Sequence, residues 1–281
     1  MRDGFTGLDH VLIGVRDLES ARERYARLGF TLTPRGRHVG WSTGNYCIMF
    51  GREYLELIGV IDPTQPRRSI EARIAAAGDV GVGFALASDD PDAAFRVWSD
   101  AELAPERRAL ARPLDLPEGT VEPRFALIHV PAAATPEVPI FVCHHLTPDL
   151  VRRPGWTDHA NGALGVRAML AVVADPAALR VPYERLFGPA AMAATDGMLT
   201  VRMGPTTLVV ATAEDAAELY PAFDATPPAV PSVAALTITV VDIARAARVL
   251  EAAGVGFERD RGRAVIVPAA AACGVLLEFS A

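Results

Sequence analysis

Two polar side chains interrupt apolar strand patterns near the start of the chain. His10 lies in LDHVLIGV and Glu56 in YLELIGV. Side chains alternate between the two faces of a strand, so if Val11 and Leu55 pack inward against a helix, His10 and Glu56 share the opposite face. A carboxylate between leucines needs a partner when it is buried. An imidazole beside a carboxylate suits zinc, manganese, iron or nickel, which makes this pair the first candidate for chemistry.

A second candidate is the histidine pair in CHHL, His144 and His145. Adjacent residues of a strand point to opposite faces, so only one of the two can face the same way as Glu56. Matching Phe141 to Tyr54 turns His145 inward. A shift of one residue selects His144 instead, and the sequence favours His145 only slightly.

The elements that position these residues recur four times along the chain. Each copy has a strand, an acidic helix cap, and a large apolar residue eight positions after the cap, followed by short strands. The pattern predicts four βαβββ units. The caps and their large residues are Asp17 with Tyr25, Asp90 with Trp98, Asp175 with Tyr183, and Asp242 with Leu250.

The later copies lack the polar pair of the first. Alignment of the caps places Gly83, Ala168 and Ala235 at the position of His10. Alignment of the fourth strands places Val209 in the third copy and Glu278, from LLEF, in the fourth copy. The chemistry is therefore expected around the first unit, and Glu278 contributes only if unit four faces unit one.

Composition excludes several classes of function. The 281 residues carry a net charge of −7 without a basic cluster, which argues against nucleic acid binding. The apolar runs fall short of the ~18 residues that a membrane span needs, and the N-terminus has no apolar signal region, so we expect a soluble cytoplasmic protein without membrane contact. Three scattered cysteines predict neither a disulfide framework nor a thiolate metal site.

Four βαβββ units with a histidine in the first strand and a glutamate in the fourth resemble the vicinal oxygen chelate superfamily. Within it the chain is similar to glyoxalase-like domain proteins, through LDHV, RGRH with STGN, YLELIGV and DHANGALGV. The resemblance implies an α+β fold in which units pair into curved mixed sheets that form cup-like sites. It also implies a divalent metal held by inward residues of the first and fourth strands.

The resemblance assigns roles to individual residues. It implies metal ligation by His10 and Glu56, with His145, His144 and Glu278 as further candidates. It gives Glu56 and His38 catalytic roles. Residues expected to contact a substrate are Tyr54, Trp41, Asn45 and His159; the motifs around Asn45 and His159 depart from the family pattern in spacing and in one proline position.

The expected organisation is an active glyoxalase-like half over residues 1–150, a linker over 151–162, and a second half with a degenerate site over 163–281. The leading interpretation is a metal-dependent isomerase, lyase or dioxygenase acting on a small oxygen-bearing molecule. A non-catalytic module that sequesters a small molecule, like the bleomycin-resistance proteins, is the alternative. Metal-free acid–base catalysis by His10 and Glu56 is a third interpretation, and a homodimer stays open.

Overall fold

The computed structural model describes residues 1–67, 69–195, 197–260 and 262–281. The elements of its first half are β1 (Gly7–Gly14), α1 (Leu18–Arg27), β2 (Gly36–Arg37), β3 (Thr43–Met49), β4 (Tyr54–Val60), α2 (Ser69–Ala77), β5 (Val80–Ala87), α3 (Pro91–Asp100), β6 (Glu106–Ala111), β7 (Leu114–Leu116), β8 (Gly119–Val121), β9 (Arg124–His129) and β10 (Ile140–His145). Those of its second half are β11 (Ala163–Val172), α4 (Arg180–Phe187), β12 (Met192–Thr195), β13 (Met198–Met203), β14 (Thr206–Ala211), α5 (Ala213–Leu219), α6 (Ala222–Ala225), β15 (Ser232–Val240), α7 (Ile243–Ala252), β16 (Glu258–Asp260), β17 (Ala264–Val267) and β18 (Leu276–Ser280).

The strands form one large, open mixed sheet with the same order in each half. In the first half, β1 pairs in parallel with β4 and antiparallel with β5, which pairs in parallel with β10. In the second half, β11 pairs likewise with β14 and β15, and β15 with β18. A single bridge from Val233 to Gly81 joins the halves. The predicted α+β fold of repeated strand and helix units is confirmed.

The acidic caps begin the helices as the sequence predicts. The side chains of Asp17, Asp90 and Asp242 each accept a hydrogen bond from a backbone N–H in the first turn of α1, α3 and α7. In the third unit Asp175 caps a short 3-10 turn, Ala177–Leu179, that leads into α4. These bonds satisfy backbone donors that have no partner within the helix, so each cap fixes where its helix begins.

The large residues after the caps pack the two halves together. Tyr25 and Trp98 are fully buried. The Tyr25 hydroxyl donates to the carbonyl oxygen of Ala272 at 3.1 Å, and Trp98 Nε1 donates to that of Leu186 at 3.1 Å. The helix of unit one therefore packs on unit four, and that of unit two on unit three, although the strands pair sequentially.

This packing divides the core into three clusters. The largest cluster contains side chains of both halves and lies around the helices. The second contains residues of the first half, among them Leu12, Tyr54 and Phe141. The third contains residues of the second half, among them Leu170 and Leu276. Each half thus keeps one sheet face that does not contribute to the shared core, and the candidate site lies on that face of the first half.

The second unit carries an insertion that the pattern of the other units does not predict. A hairpin of β7 and β8 follows β6, and Leu114 on β7 pairs with Gly36 on β2. The insertion therefore closes against the edge strand of unit one. No helix among the described residues is both long and apolar enough to cross a membrane.

Candidate functional site

Glu56 lies at the centre of a buried polar cluster. Parallel pairing of β1 with β4 places Leu12 opposite Glu56 and brings His10 onto the same face. His10 Nε2 lies 3.3 Å from Glu56 Oε2, and His38 Nε2 lies 3.4 Å from Oε1. Asn45 on β3 donates from Nδ2 to Oε1 at 2.7 Å. The structure thus brings three of the candidate side chains together around a fourth, the Glu56 carboxylate, which is only 5% exposed.

Both histidines are held through their other ring nitrogen. His10 Nδ1–H donates to Asp9 Oδ1 at 2.6 Å, and His38 Nδ1 shares a 2.8 Å hydrogen bond with Thr43 Oγ1. The Tyr54 ring stacks on His10 with ring centroids 4.6 Å apart. A histidine anchored at Nδ1 presents Nε2 in a fixed direction, which is the usual arrangement of metal-binding histidines.

Asp9 reaches this cluster through a β-bulge. The pairing of β1 with β5 shifts between Leu8 and His10, so Asp9 has no partner in the register. Strict alternation would direct Asp9 away from His10, but a bulge re-aims side chains. The carboxylate is 2% exposed and its Oδ2 lies 3.1 Å from His145 Nε2. Sequence reasoning missed Asp9; an acidic residue directly before an inward histidine was the available signal.

Both buried carboxyl groups are ionised. Burial alone raises the pKa of Asp9, but hydrogen bonds from His10 and His145 outweigh it and hold the pKa well below its usual range. Burial also raises the pKa of Glu56, and the hydrogen bond from His38 with the charges of His10 and Arg112 lowers it well below the usual range. Two negative charges therefore lie within one cluster at neutral pH.

Arg112 brings a positive charge to the same cluster. It follows β6, is 3% exposed, and places Nη1 2.7 Å from Cys47 Sγ. Burial lowers the pKa of Arg112, but Cys47, Tyr54 and Glu56 raise it above the usual value, so the guanidinium is charged. Burial raises the pKa of the Cys47 thiol to about 12, so this neighbour is neutral. Arg112 was not a sequence candidate, because it lies in the insertion.

These groups line a cavity on the free sheet face of the first half. The volume inside it that a water-sized sphere can occupy is about 20 Å³. One wall is polar and the other is apolar and aromatic. The lining residues are His10, Leu12, His38, Tyr54, Glu56, Leu110, Arg112, Phe125, Leu127, Phe141 and Cys143. As it stands, the cavity has room for an ion or about one water molecule beside Glu56.

The register corrects one step of the sequence alignment. Leu12 pairs with Glu56 in unit one, and Ala85 pairs with Phe141 in unit two. In the antiparallel pair of β1 and β5, His10 lies opposite Ala85 and Leu12 lies opposite Gly83, which makes Ala85 the residue of unit two that is equivalent to Leu12 in unit one. Phe141 therefore stands at the place of Glu56 and not of Tyr54. The inserted hairpin obscured this two-residue difference. Unit two therefore supplies an aromatic ring where unit one supplies a carboxylate.

The two histidines of CHHL have different surroundings. His145 contacts Asp9 and packs edge-on against Tyr54 with centroids 6.0 Å apart. His144 Nδ1–H donates to the carbonyl oxygen of Ser88 at 2.7 Å. A two-residue shift leaves strand parity unchanged, so His145 still turns toward Asp9 and Tyr54, but both His144 and His145 line a separate surface pocket and not the cavity around Glu56.

Three other candidates lie outside the cavity lining. His159 accepts at Nδ1 from the Thr31 N–H at 3.0 Å and donates from Nε2 to the Met49 carbonyl at 3.0 Å, so it ties the segment before β11 to the first half. Trp41 lies in a surface turn and is 37% exposed. Glu278 lies in the second half.

Glu278 matches Glu56 in sequence but belongs to a different pocket. Its Oε2 accepts hydrogen bonds from the Tyr220 hydroxyl at 2.8 Å and from Thr237 Oγ1 at 2.7 Å. The pocket that it lines contains residues of the second half alone. Units one and four face each other through their helices, so Glu278 does not join Glu56.

One further group of metal-ligating side chains was not expected. Ligand atoms of Asp9, His10 and Cys143 lie within 4.8 Å of one another, and all three residues are buried. Burial and the nearby Asp9 charge raise the pKa of the Cys143 thiol well above its usual value. The sequence predicted no thiolate metal site. His10 therefore faces two sets of donors, with Nδ1 toward Asp9 and Nε2 toward Glu56.

Two family models match the chain. The model described as "Glyoxalase-like domain" matches residues 8–187. The chain belongs to this family. A second model, "Glyoxalase/Bleomycin resistance protein/Dioxygenase superfamily", matches residues 164–279, so both halves of the glyoxalase-like protein are of the vicinal oxygen chelate type. No curated protein matches the chain.

Solved structures share this fold at low sequence identity. A hypothetical protein from Staphylococcus aureus has a TM-score of 0.66 at 10% identity, covering 97% of this chain and 98% of that one. A triple mutant of 4-hydroxymandelate synthase from Streptomyces coelicolor has a TM-score of 0.62 at 15% identity, covering 98% and 92%. A xylose isomerase-like TIM barrel/4-hydroxyphenylpyruvate dioxygenase fusion protein has a TM-score of 0.58 at 15% identity, covering 98% and 48%.

Proposed function

We propose that the glyoxalase-like protein is a divalent-metal-dependent enzyme that acts on a small oxygen-bearing molecule in the cavity of its first half. The observation that carries the proposal is the Glu56 carboxylate, which has the anchored Nε2 of His10 beside one oxygen and that of His38 beside the other. Donor atoms that share a metal at ~2.0–2.2 Å lie about 3 Å apart, close to the 3.3 and 3.4 Å that separate each histidine from the carboxylate. Ligand atoms of all three residues do not lie within 4.8 Å of one another in the described part of the chain, so a bound ion would have to draw the two histidines together.

The charge of the cluster also fits a cation. Two buried carboxylates, those of Asp9 and Glu56, lie in the cluster with one guanidinium, that of Arg112. A buried net charge is costly unless it is compensated. His10, His38 and Glu56 would hold the ion, and this donor set suits zinc, manganese, iron or nickel.

The bound metal would supply Lewis acidity that polarises a carbonyl or stabilises an oxyanion in an isomerase or lyase reaction, and iron would supply the redox chemistry with O₂ that a dioxygenase reaction needs. The chain's own residues do the rest. Asn45 holds Glu56 through its hydrogen bond to Oε1, and Tyr54 fixes the plane of the His10 ring. Phe125 and Phe141 exclude water from the opposite wall.

Metal content of the purified protein tests the proposal. Elemental analysis of protein prepared without added metal should find one divalent ion per chain. Loss of a residue that only hydrogen-bonds a metal ligand weakens metal binding roughly 10- to 100-fold. Loss of a ligand itself should weaken metal binding more, so His38→Ala and Glu56→Gln should lose the metal. Glu278→Gln and His144→Gln, which lie outside the cavity, should keep it. Wild-type protein without stoichiometric metal would refute the proposal.

Cobalt substitution distinguishes the two donor sets around His10. A metal on Glu56 has only nitrogen and oxygen donors, so its spectrum should lack a thiolate-to-cobalt charge-transfer band. A metal at the Asp9 side would include Cys143 and show that band, which Cys143→Ser would remove. The band in wild-type protein would move the site from Glu56 to Asp9.

The second candidate function is sequestration of a small molecule without catalysis. Phe141 and Gly83 of unit two stand where a metal site would need ligands, and most of the cavity lining is apolar. This function predicts that apolar compounds raise the melting temperature by the same amount with and without a chelator. A chelator that abolishes the ligand-induced shift would exclude it.

The organisation of the chain follows from the same argument. We assign the active site to residues 1–150, the linker to 151–162, and a degenerate site to 163–281, where Ala168 and Ala235 replace the strand-one histidine. Limited proteolysis in the linker should leave the metal with the first half. We place the protein in the cytoplasm, with a small-molecule substrate and without a nucleic acid partner.

A further inference from the structure

The free sheet face of the second half carries a cavity that the metal proposal leaves without a role. A water-sized sphere can occupy about 440 Å³ of this cavity, compared with about 20 Å³ of the cavity around Glu56. Sites for small organic molecules usually measure roughly 300–1,000 Å³. The lining comes from β11, β14, β15, β16, β17 and β18 and from the end of α5. The cavity therefore has room for an organic ligand.

Glu278 is the polar centre of this cavity, but the second half offers no histidine to hold a metal beside it. The strand register places four lining residues in one row across the sheet: Ile266 pairs with Glu278, Glu278 with Thr237, and Thr237 with Ala168. All six histidines of the chain lie in residues 1–162. A metal site like the one proposed for the first half is therefore not available to Glu278.

Two hydroxyl groups hold one oxygen of the Glu278 carboxylate. The Tyr220 hydroxyl and Thr237 Oγ1 donate to Oε2 at 2.8 and 2.7 Å. Burial raises the pKa of Tyr220 to about 12, so its hydroxyl stays protonated and remains a donor. A carboxylate oxygen accepts about two hydrogen bonds, which fills Oε2. Over the described part of the chain Oε1 has no hydrogen-bond partner, so the carboxylate is held in place with one oxygen left for a ligand.

The arginines around this cavity are engaged with other groups. Arg259 lines the cavity and places Nη2 2.8 Å from Glu251 Oε1 on α7. Arg167 donates from Nη2 to Ser280 Oγ at 2.6 Å, two residues along β18 from Glu278. Among the residues that the structure describes, neither guanidinium lies within 4.0 Å of a Glu278 oxygen. A ligand that covers Glu278 takes its carboxylate out of water, which is costly unless the ligand is itself a cation.

We propose that this cavity is a second ligand site, and that it binds a small primary amine as its ammonium ion. One N–H of the ammonium donates to Glu278 Oε1, and an apolar body lies on Leu170, Val209 and Ile266, which line the cavity. An ammonium is a compact point charge that suits a single open oxygen, whereas a planar guanidinium matches the two oxygens of one carboxylate. The site uses no residue of the first half, so it stands or falls apart from the metal proposal.

Calorimetric titration with benzylamine and its neutral analogue benzyl alcohol tests the inference. At neutral pH we expect wild-type protein to bind benzylamine at least roughly tenfold more tightly than benzyl alcohol. In Glu278→Gln the amide oxygen can keep the two hydroxyl donors, which turns the NH₂ group toward the ligand. This variant should weaken benzylamine binding at least roughly tenfold and leave benzyl alcohol binding unchanged. Glu214→Gln, at an exposed position of α5 outside the lining, is the matched control and should bind both probes like wild type.

A second variant tests the place of the ligand. Ala168→Leu extends a side chain into the cavity beside Thr237 and should weaken the binding of both probes roughly tenfold. Glu56→Gln, which should lose the metal, should bind benzylamine like wild type. Wild-type protein that binds benzylamine no more tightly than benzyl alcohol, or Glu56→Gln that loses benzylamine binding, would overturn the inference and leave the metal proposal to its own test. If Glu278→Gln does not fold, Ala168→Leu decides: unchanged benzylamine affinity overturns the inference.

Discussion

Replacement of Asp9 by asparagine tests the buried polar chain that sequence reasoning missed. Asp9 is 2% exposed and its Oδ1 accepts hydrogen bonds from His10 Nδ1 at 2.6 Å and from His145 Nε2 at 3.3 Å. The Asp9→Asn side chain keeps an oxygen that can accept from both imidazoles but loses the negative charge, so both hydrogen bonds become neutral. Its NH₂ group replaces Oδ2, which lies 3.1 Å from His145 Nε2.

The expected loss of stability comes from the lost charge. A charge-assisted hydrogen bond contributes about 1.5–3 kcal/mol and a neutral one about 0.5–1.5 kcal/mol, a difference of about 1–1.5 kcal/mol per bond. Over two bonds we expect Asp9→Asn to lower the free energy of unfolding by about 2–3 kcal/mol. This is a substantial part of the roughly 5–15 kcal/mol that holds a typical domain folded. The matched change at exposed Asp89 should stay within about 0.5 kcal/mol.

Urea unfolding of metal-free protein measures this loss. Fluorescence of Trp98, which is fully buried, reports the transition, and circular dichroism at the same urea concentrations tests for a single transition. Metal affinity should also fall by roughly 10- to 100-fold, because the Nδ1 anchor of His10 is lost. If Asp9→Asn unfolds at the same urea concentration as Asp89→Asn, the hydrogen bonds from the two histidines do not contribute as argued.

Three further predictions concern the frame of the site. Burial lowers the pKa of His159 below its unfolded-state value of about 6.5. The contribution of His159 to stability is therefore present above that pH and is lost as the pH falls through the lower folded pKa. The stability of His159→Gln, measured by unfolding against pH, should lack this pH-dependent loss. Trp98→Ala should cost about 3–5 kcal/mol in urea unfolding, because it leaves a cavity between the halves. Gly274 has a φ of 79°, and a Cβ at this position would meet the Asp79 carbonyl oxygen, whereas Gly254 has a φ of 64° and open space around it. Gly274→Ala should therefore lower the melting temperature more than Gly254→Ala.

The part of the site that follows strand alternation could be predicted from the sequence. His10 and Glu56 are placed by alternation within two strands that pair in parallel. The sequence alignment of β10 was wrong by two residues. Such a shift does not change which face of the strand a side chain takes, so the predicted face of His145 is unchanged. The fold likewise followed from the repeated caps and the buried residue eight positions after each.

The rest depends on features that alternation does not describe. Asp9 turns toward His145 because of a bulge, and Arg112 enters the cavity from the segment between β6 and an inserted hairpin that has no counterpart in the other units. Glu278 matches Glu56 within its strand, yet its side chain lies in the pocket of the other half. Local patterns specify which face a side chain takes, whereas long-range packing specifies which faces meet.

Anomalous diffraction from crystals of protein prepared without added metal tests the metal site most directly. Data collected above and below the absorption edge of the metal identified by elemental analysis should give one anomalous peak per chain. We expect this peak between Glu56 and the Nε2 atoms of His10 and His38, at ~2.0–2.2 Å from its ligands. A peak bonded to Asp9 and Cys143, or no peak in either place, would contradict it.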